Sequence, residues 1–137
     1  MGKQALIKIE YYENNYDLYK IYKTFLSQKS LSYFDVNYYW VDDEPVTFVL
    51  NEGQTMSDIL LEAISKYQNH SIGFNLIFKN IITYHNLNIA DASPITIGIG
   101  QPKMIDSLKV PDFSFYAKIL LPYFNIFEIE HIEFSYG

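Results

Sequence analysis

Residues 32–50 read SYFDVNYYWVDDEPVTFVL, and their pattern points to the class of fold. Phe34, Val36, Tyr38 and Trp40 recur at every second position, the period of a strand with one face buried. Asp42-Asp43-Glu44-Pro45 interrupts the run with turn-forming residues, and Val46, Phe48 and Leu50 resume the alternation. Two alternating runs around a short polar turn predict an antiparallel hairpin.

Upstream, Ile7, Ile9 and Tyr11 alternate with Lys8 and Glu10, so residues 6–11 read as a half-buried strand. Asn14 and Asn15 mark a turn or a cap. From Asp17, the spacing of Leu18, Ile21, Tyr22, Phe25 and Leu26 predicts one face of a helix running to about Gln28. Downstream, Asn51-Glu52-Gly53 breaks the hairpin. Thr55 with Asp58 makes a capping-box start for a helix carrying Ile59, Leu60, Ala63, Ile64 and Tyr67. Residues 72–79 and 81–89 are strand-like around a turn near Asn80. Ile95, Ile97 and Ile99 form a short strand ending in Gly100-Gln101-Pro102.

Residues 103–111 read as loop with at most one helical turn. Asp112 or Ser114 caps a third helix bearing Phe113, Tyr116, Ala117, Leu120 and Leu121, which Pro122 ends or kinks. From Phe127 to Tyr136 the chain is a strand. Its apolar phase changes between Ile129 and Ile132, which predicts a bulge near Glu130-His131. The order β-α-β-β-α-β-β-β-α-β predicts an α+β fold over residues 1–137. It is expected as a single domain, a mostly antiparallel sheet with about three helices packed on it.

Of the 137 residues, 49% are hydrophobic and 18% aromatic, enough for one core without disulfide or metal support. There is no cysteine, which excludes a disulfide framework and a thiolate zinc site. The opening Met1-Gly2-Lys3-Gln4-Ala5-Leu6-Ile7-Lys8 has no apolar run after its first lysine, so no signal peptide is expected. No apolar run reaches membrane-spanning length. A cytoplasmic location is the expectation.

The net charge is −6, and every basic side chain is lysine; there is no arginine. Arginine supplies the bidentate fork that recognises phosphates and base edges. An acidic surface without it suits neither nucleic acid nor nucleotide phosphates. Gly98-Ile99-Gly100 follows a strand, but Gln101-Pro102-Lys103 stands where a dinucleotide fingerprint needs a helix. The histidines His70, His85 and His131 lie beside no nucleophile pattern, and no catalytic residue, metal or cofactor is expected. The tail Glu128-Ile129-Glu130-His131-Ile132-Glu133 has the residue types of a metal or acid–base site, but alternation reads it first as a solvated strand face.

The sharper feature is Asp42, Asp43 and Glu44 at the hairpin tip, beside Tyr39 and Trp40, with Asp35 on the same strand. Aromatic anchors beside carboxylates are the materials of a protein interface. Thirteen tyrosines exceed what one core requires, so some face solvent. Asp35, Tyr39, Trp40, Asp42, Asp43, Glu44, Glu128, Glu130 and Glu133 are therefore the expected partner-binding residues.

In size, acidity and lack of a catalytic motif the whole chain resembles bacterial immunity proteins of contact-dependent inhibition and other polymorphic toxin systems. The resemblance carries no diagnostic motif. It implies a cytosolic protein that neutralises a cognate basic toxin, such as a nuclease, by covering its active site or substrate groove. One alternative is a small-ligand-binding or small enzyme domain with an aromatic pocket, in which Glu128, Glu130, Glu133 and the histidines would act. Another is a phage-type inhibitor that mimics DNA with carboxylates. An unpaired edge strand would also allow a homodimer.

Overall fold

The computed structural model describes residues 4–12, 17–28, 31–33, 37–89 and 94–137. The expected turn at Asn14-Asn15, and Phe34, Asp35 and Val36 of the expected first hairpin strand, lie outside these residues.

Strand β1 (Ala5–Tyr11) buries Ala5, Ile7, Ile9 and Tyr11 and turns Leu6, Lys8 and Glu10 the other way, as its alternation predicts. Helix α1 (Leu18–Leu26) starts where the Asp17 side chain accepts a hydrogen bond from the Lys20 amide at 3.2 Å. Its apolar stripe buries Ile21, Tyr22, Phe25 and Leu26. Helix α2 (Met56–Lys66) begins with a reciprocal cap. The Asp58 amide donates to Thr55 Oγ1 at 3.2 Å, and the Thr55 amide donates to Asp58 Oδ2 at 2.9 Å. Thr55→Ala is expected to lower stability by about 1 kcal/mol, measured as a shift in the urea midpoint. No change would mean that the cap is made in solution by water instead. Helix α3 (Phe113–Leu120) is capped by Asp112, and Pro122 lies in the single 3₁₀ turn, Leu121–Tyr123, that closes it.

The hairpin region differs from its expected form. The 32–41 strand is divided into β2 (Leu31–Tyr33) and β3 (Tyr38–Val41). Both pair with β5 (Ser71–Phe78): Tyr33 stands opposite Leu76 and Trp40 opposite Gly73. The chain thus advances seven residues from Tyr33 to Trp40 while β5 runs back only three, from Leu76 to Gly73, so the two pairings are out of register with each other. Strand β4 (Glu44–Thr47) contains Pro45, which was expected in the turn. Proline is tolerated there because β4 pairs only with β3 and forms the sheet edge. The turn itself is Asp42-Asp43, at φ of 49° and 66°. Positive φ at both centres matches the right-handed twist of the strands it joins. Past Thr47 the strand ends; Phe48 still packs against the core, but Leu50, expected to continue the alternation, is 44% exposed.

β5 and β6 (Ile81–Asn88) form a hairpin of eight paired positions around Lys79-Asn80, close to the expected segments. β7 (Ile95–Gly100) carries the expected isoleucines. Residues 103–111, expected as loop, include a small ribbon of β8 (Met104–Ile105) and β9 (Val110–Pro111). β10 (Ile129–Tyr136) pairs with β1; Glu10 faces His131 and Tyr11 faces Ile129, which leaves Glu130 as the bulged residue.

The large sheet has the order β10-β1-β7-β6-β5-β3-β4, with β2 also on β5, and every pair is antiparallel. The fold is α+β. One core lies between the helices and one face of this sheet. Tyr22 and Phe25 of α1 meet Phe78 of β5 and Phe124 just beyond the 3₁₀ turn, all fully buried. The Tyr11 hydroxyl donates to the Phe124 carbonyl at 2.6 Å and ties that turn to the sheet. Among the described residues no helix is long and apolar enough to cross a membrane.

Candidate functional site

Alternation gives the sheet a second face, directed away from the helices. Registered neighbours place Trp40, Gly73, Asn86 and Thr96 in one row across it. The adjacent row runs Asn75, Tyr84, Gly98, Leu6. A groove of about 470 Å³ lies over these rows, with Gln4, Asp43 and Ser71 in its walls and Phe74 and His85 also bordering it.

Two glycines shape it. A Cβ on Gly73 would sit 3.7 Å from the Trp40 ring, and one on Gly98 would sit 3.5 Å from Tyr84 Cβ and Cδ2. At Gly100 a Cβ would come within 3.1 Å of the Tyr84 hydroxyl. The Tyr84 side chain therefore lies along β7 over Gly98 and Gly100, and Trp40 lies beside Gly73. Tyr38 packs edge-on against Trp40 at 5.2 Å and supports it.

The expected contact residues divide on this geometry. Trp40 and Asp43 line the groove, and Glu44 is exposed on the edge strand beside it. Asp42 has a structural task. Its Oδ1 accepts from the Ser71 amide at 2.9 Å, and its Oδ2 meets His70 Nδ1. The Ser71 hydrogen bond first, and His70 second, hold its carboxyl below the usual carboxylate range. Tyr39 does not belong to the exposed patch. It is 6% exposed, packs on Phe48 and Tyr67 within the core, and its hydroxyl is pushed up to about 12, chiefly by burial. Tyr38 and Trp40 share a face as expected, but it is the open face; β3 buries Tyr39. Asp35 lies outside the described residues.

The tail carboxylates are spread along the outer strand. Glu133 faces Lys8 across the ladder at 4.0 Å, with both side chains about half exposed, a pair worth little in water. Glu130 occupies the bulge, and His131 stands opposite Glu10. Among the described residues no three histidine, aspartate or glutamate side chains gather as a metal site. Charges along an edge strand discourage pairing with another sheet.

His85 faces the core, away from the groove that its strand helps to form. Phe74 stacks on it at 5.2 Å, and Tyr22 and Phe25 enclose it. Thr83 Oγ1 donates to the Leu76 carbonyl at 3.3 Å, so it accepts from His85 Nε2–H at 2.9 Å. His85 Nδ1 then accepts from the Tyr22 hydroxyl at 2.9 Å. Burial pushes the imidazole down to about 3, so it is neutral at physiological pH. Its ring is a core hydrogen-bonding group, although the residue also borders the floor of the groove. The Gly98-Ile99-Gly100 run lies inside β7 and leads into no helix.

Sequence reasoning did not single out Gly73, Asn75, Tyr84, Asn86, Thr96 or Gly98 as site residues. The polar residues at alternate positions of β5 and β6 carry the only local signal, and it marks a face without saying what gathers on it. Comparison of the chain with protein-family models, with curated proteins and with solved structures gave no match.

Proposed function

We propose that this chain is a cytoplasmic binding protein of the toxin–immunity type, which neutralises a basic protein partner by covering its working surface. The observation that carries this reading is the open sheet face, where an aromatic and amide groove adjoins the acidic hairpin tip. Trp40 and Tyr84 offer rigid anchors, and Asp43 and Glu44 offer charge for steering. The chain's net charge of −6 favours a basic partner. Amides and rings, rather than a regular array of carboxylates, surround the groove, which favours a protein partner over the role of a DNA mimic.

The test is capture from lysate and secreted fractions of the native host, followed by salt elution. A stoichiometric basic protein, whose activity is inhibited on rebinding, is the expected result. The double variant Asp43→Asn, Glu44→Gln removes two charges and leaves Asp42 to hold the turn; asparagine accepts the positive φ of position 43. Its association rate at low salt should fall on the order of threefold to tenfold, with a shallower salt dependence. An unchanged rate would remove the hairpin tip from the interface. Failure to capture any protein at any salt concentration would remove the binding reading.

A further inference from the structure

The groove itself has a chemistry more specific than partner binding. Asp43 lines it and makes no hydrogen bond or ion pair among the described residues. Among the described residues no lysine lines it; Lys8, which stands opposite Thr96 on one side and Glu133 on the other, borders a neighbouring hollow and lies 4.0 Å from Glu133. Trp40 presents the aromatic surface with the strongest attraction for a cation. Asn75, Asn86 and Gln4 bring side-chain carbonyls that accept hydrogen bonds. An anion would meet Asp43 and find no positive charge among the described lining residues. A cation would meet one carboxylate, the face of Trp40 and side-chain carbonyl acceptors.

We propose that this groove is the anchor site for a basic side chain of the partner, an arginine by preference. The inference rests on the reading of the chain as a binder of a basic protein, and it names the group on that partner which the groove takes. A guanidinium is planar, so it can stack on Trp40 while its five N–H donors reach the Asp43 carboxylate and the amide carbonyls. An ammonium satisfies the charge but not the stacking. Strand spacing places Trp40 and Tyr84 about 12 Å apart, two strands across and one residue pair along. One arginine on Trp40 therefore leaves Tyr84 for the peptide that flanks it. A volume of about 470 Å³ accommodates that side chain together with its flanking backbone.

Trp40 is the single tryptophan of the chain, so its fluorescence reports on the groove directly. The experiment titrates the whole protein at low salt with acetyl-tetraarginine amide and with acetyl-tetracitrulline amide, which has the same shape without the charge. The arginine peptide should give a saturable change in Trp40 emission, with affinity about tenfold above that of the citrulline peptide. Asp43→Asn should remove most of that difference, and Tyr84→Leu should weaken binding with the reporter intact. Glu52→Gln removes the same unit of charge at an exposed position outside the groove and should leave the titration unchanged. Equal binding of the two peptides, no saturable change, or an equal effect of Glu52→Gln and Asp43→Asn would overturn the proposal. The two readings also fail separately. If a basic partner is captured equally well by the Trp40→Leu variant, the anchor site is wrong and the binding role stands. If no partner is captured but the arginine peptide binds in an Asp43-dependent way, the groove's chemistry stands and the immunity role falls.

Discussion

Phe25→Ala is expected to lower the unfolding free energy by about 3–5 kcal/mol, the largest effect of any single truncation considered for this chain. Phe25 is fully buried on the inner face of α1. Its ring centre lies 5.2 Å from those of Phe78 and Phe124, 5.4 Å from His85 and 5.9 Å from Tyr123. These partners come from β5, β6, the 3₁₀ turn and the residue just beyond it, so the ring seats α1 against both the sheet and the segment that follows α3. They are themselves bulky and held by further contacts, and so cannot collapse into the space. A domain of this size is stable by roughly 5–15 kcal/mol, so the variant should lie near the limit of folding. Phe25→Leu keeps most of the volume and should lose less than about 1.5 kcal/mol. Urea unfolding of the two variants decides the matter. A loss below about 1 kcal/mol for the alanine variant would show that α1 does not seat this ring against the sheet in solution.

Acidification should destabilise the fold well above the pH at which its carboxylates titrate. The cause is His85. In the unfolded chain it takes a proton near pH 6.5, whereas burial holds the native imidazole down to about 3. Between those values the unfolded state binds the extra proton. Stability is therefore fully present above about pH 6.5 and falls as the pH drops, by up to about 1.4 kcal/mol per unit, levelling off below pH 3. Tyr22, Phe25, Phe74 and Thr83 surround the ring, and none supplies a negative charge. Protonating Nδ1 would place an N–H where the Tyr22 O–H now points. Asp42, lowered by the Ser71 amide and His70, adds a further loss only at the acidic end, as the pH falls through its own depressed value. Urea midpoints at pH 7.5 and pH 4.5 should differ clearly for the native chain. His85→Gln keeps polar partners for Tyr22 and Thr83 but cannot titrate, and should show a much smaller difference. An equal difference in the two proteins would assign the acid sensitivity to other groups.

Much of the secondary structure was legible in the chain because its signals are local. The Thr55–Asp58 cap, Asp17 and Asp112 as helix starts, Pro122 as a helix end and the phase change at Glu130 each involve residues within a few positions of one another. The isoleucine alternation of 95–99 and the stripe from Ile21 to Leu26 reflect periods of two and 3.6 that any core would impose. Local signals were weakest at Tyr38-Tyr39-Trp40-Val41, where every position is apolar or aromatic. Tyr38 and Trp40 alternate with Tyr39 and Val41 there, but with all four apolar or aromatic the alternation does not say which pair is buried.

By itself, then, the sequence determined an acidic α+β domain with capped helices, an antiparallel sheet, no cysteine and a turn within Asp42-Asp43-Glu44-Pro45, which the structure narrowed to Asp42-Asp43. The tertiary structure alone decided that Tyr39 enters the core while Trp40 faces outward, because that choice depends on which side of β5 the helices cover. It also decided the strand order and seated His85 among aromatic rings. The groove joins Gln4, Trp40, Gly73, Tyr84 and Gly98. These residues are far apart in the chain and meet only through registered pairing across five strands, which no local pattern encodes.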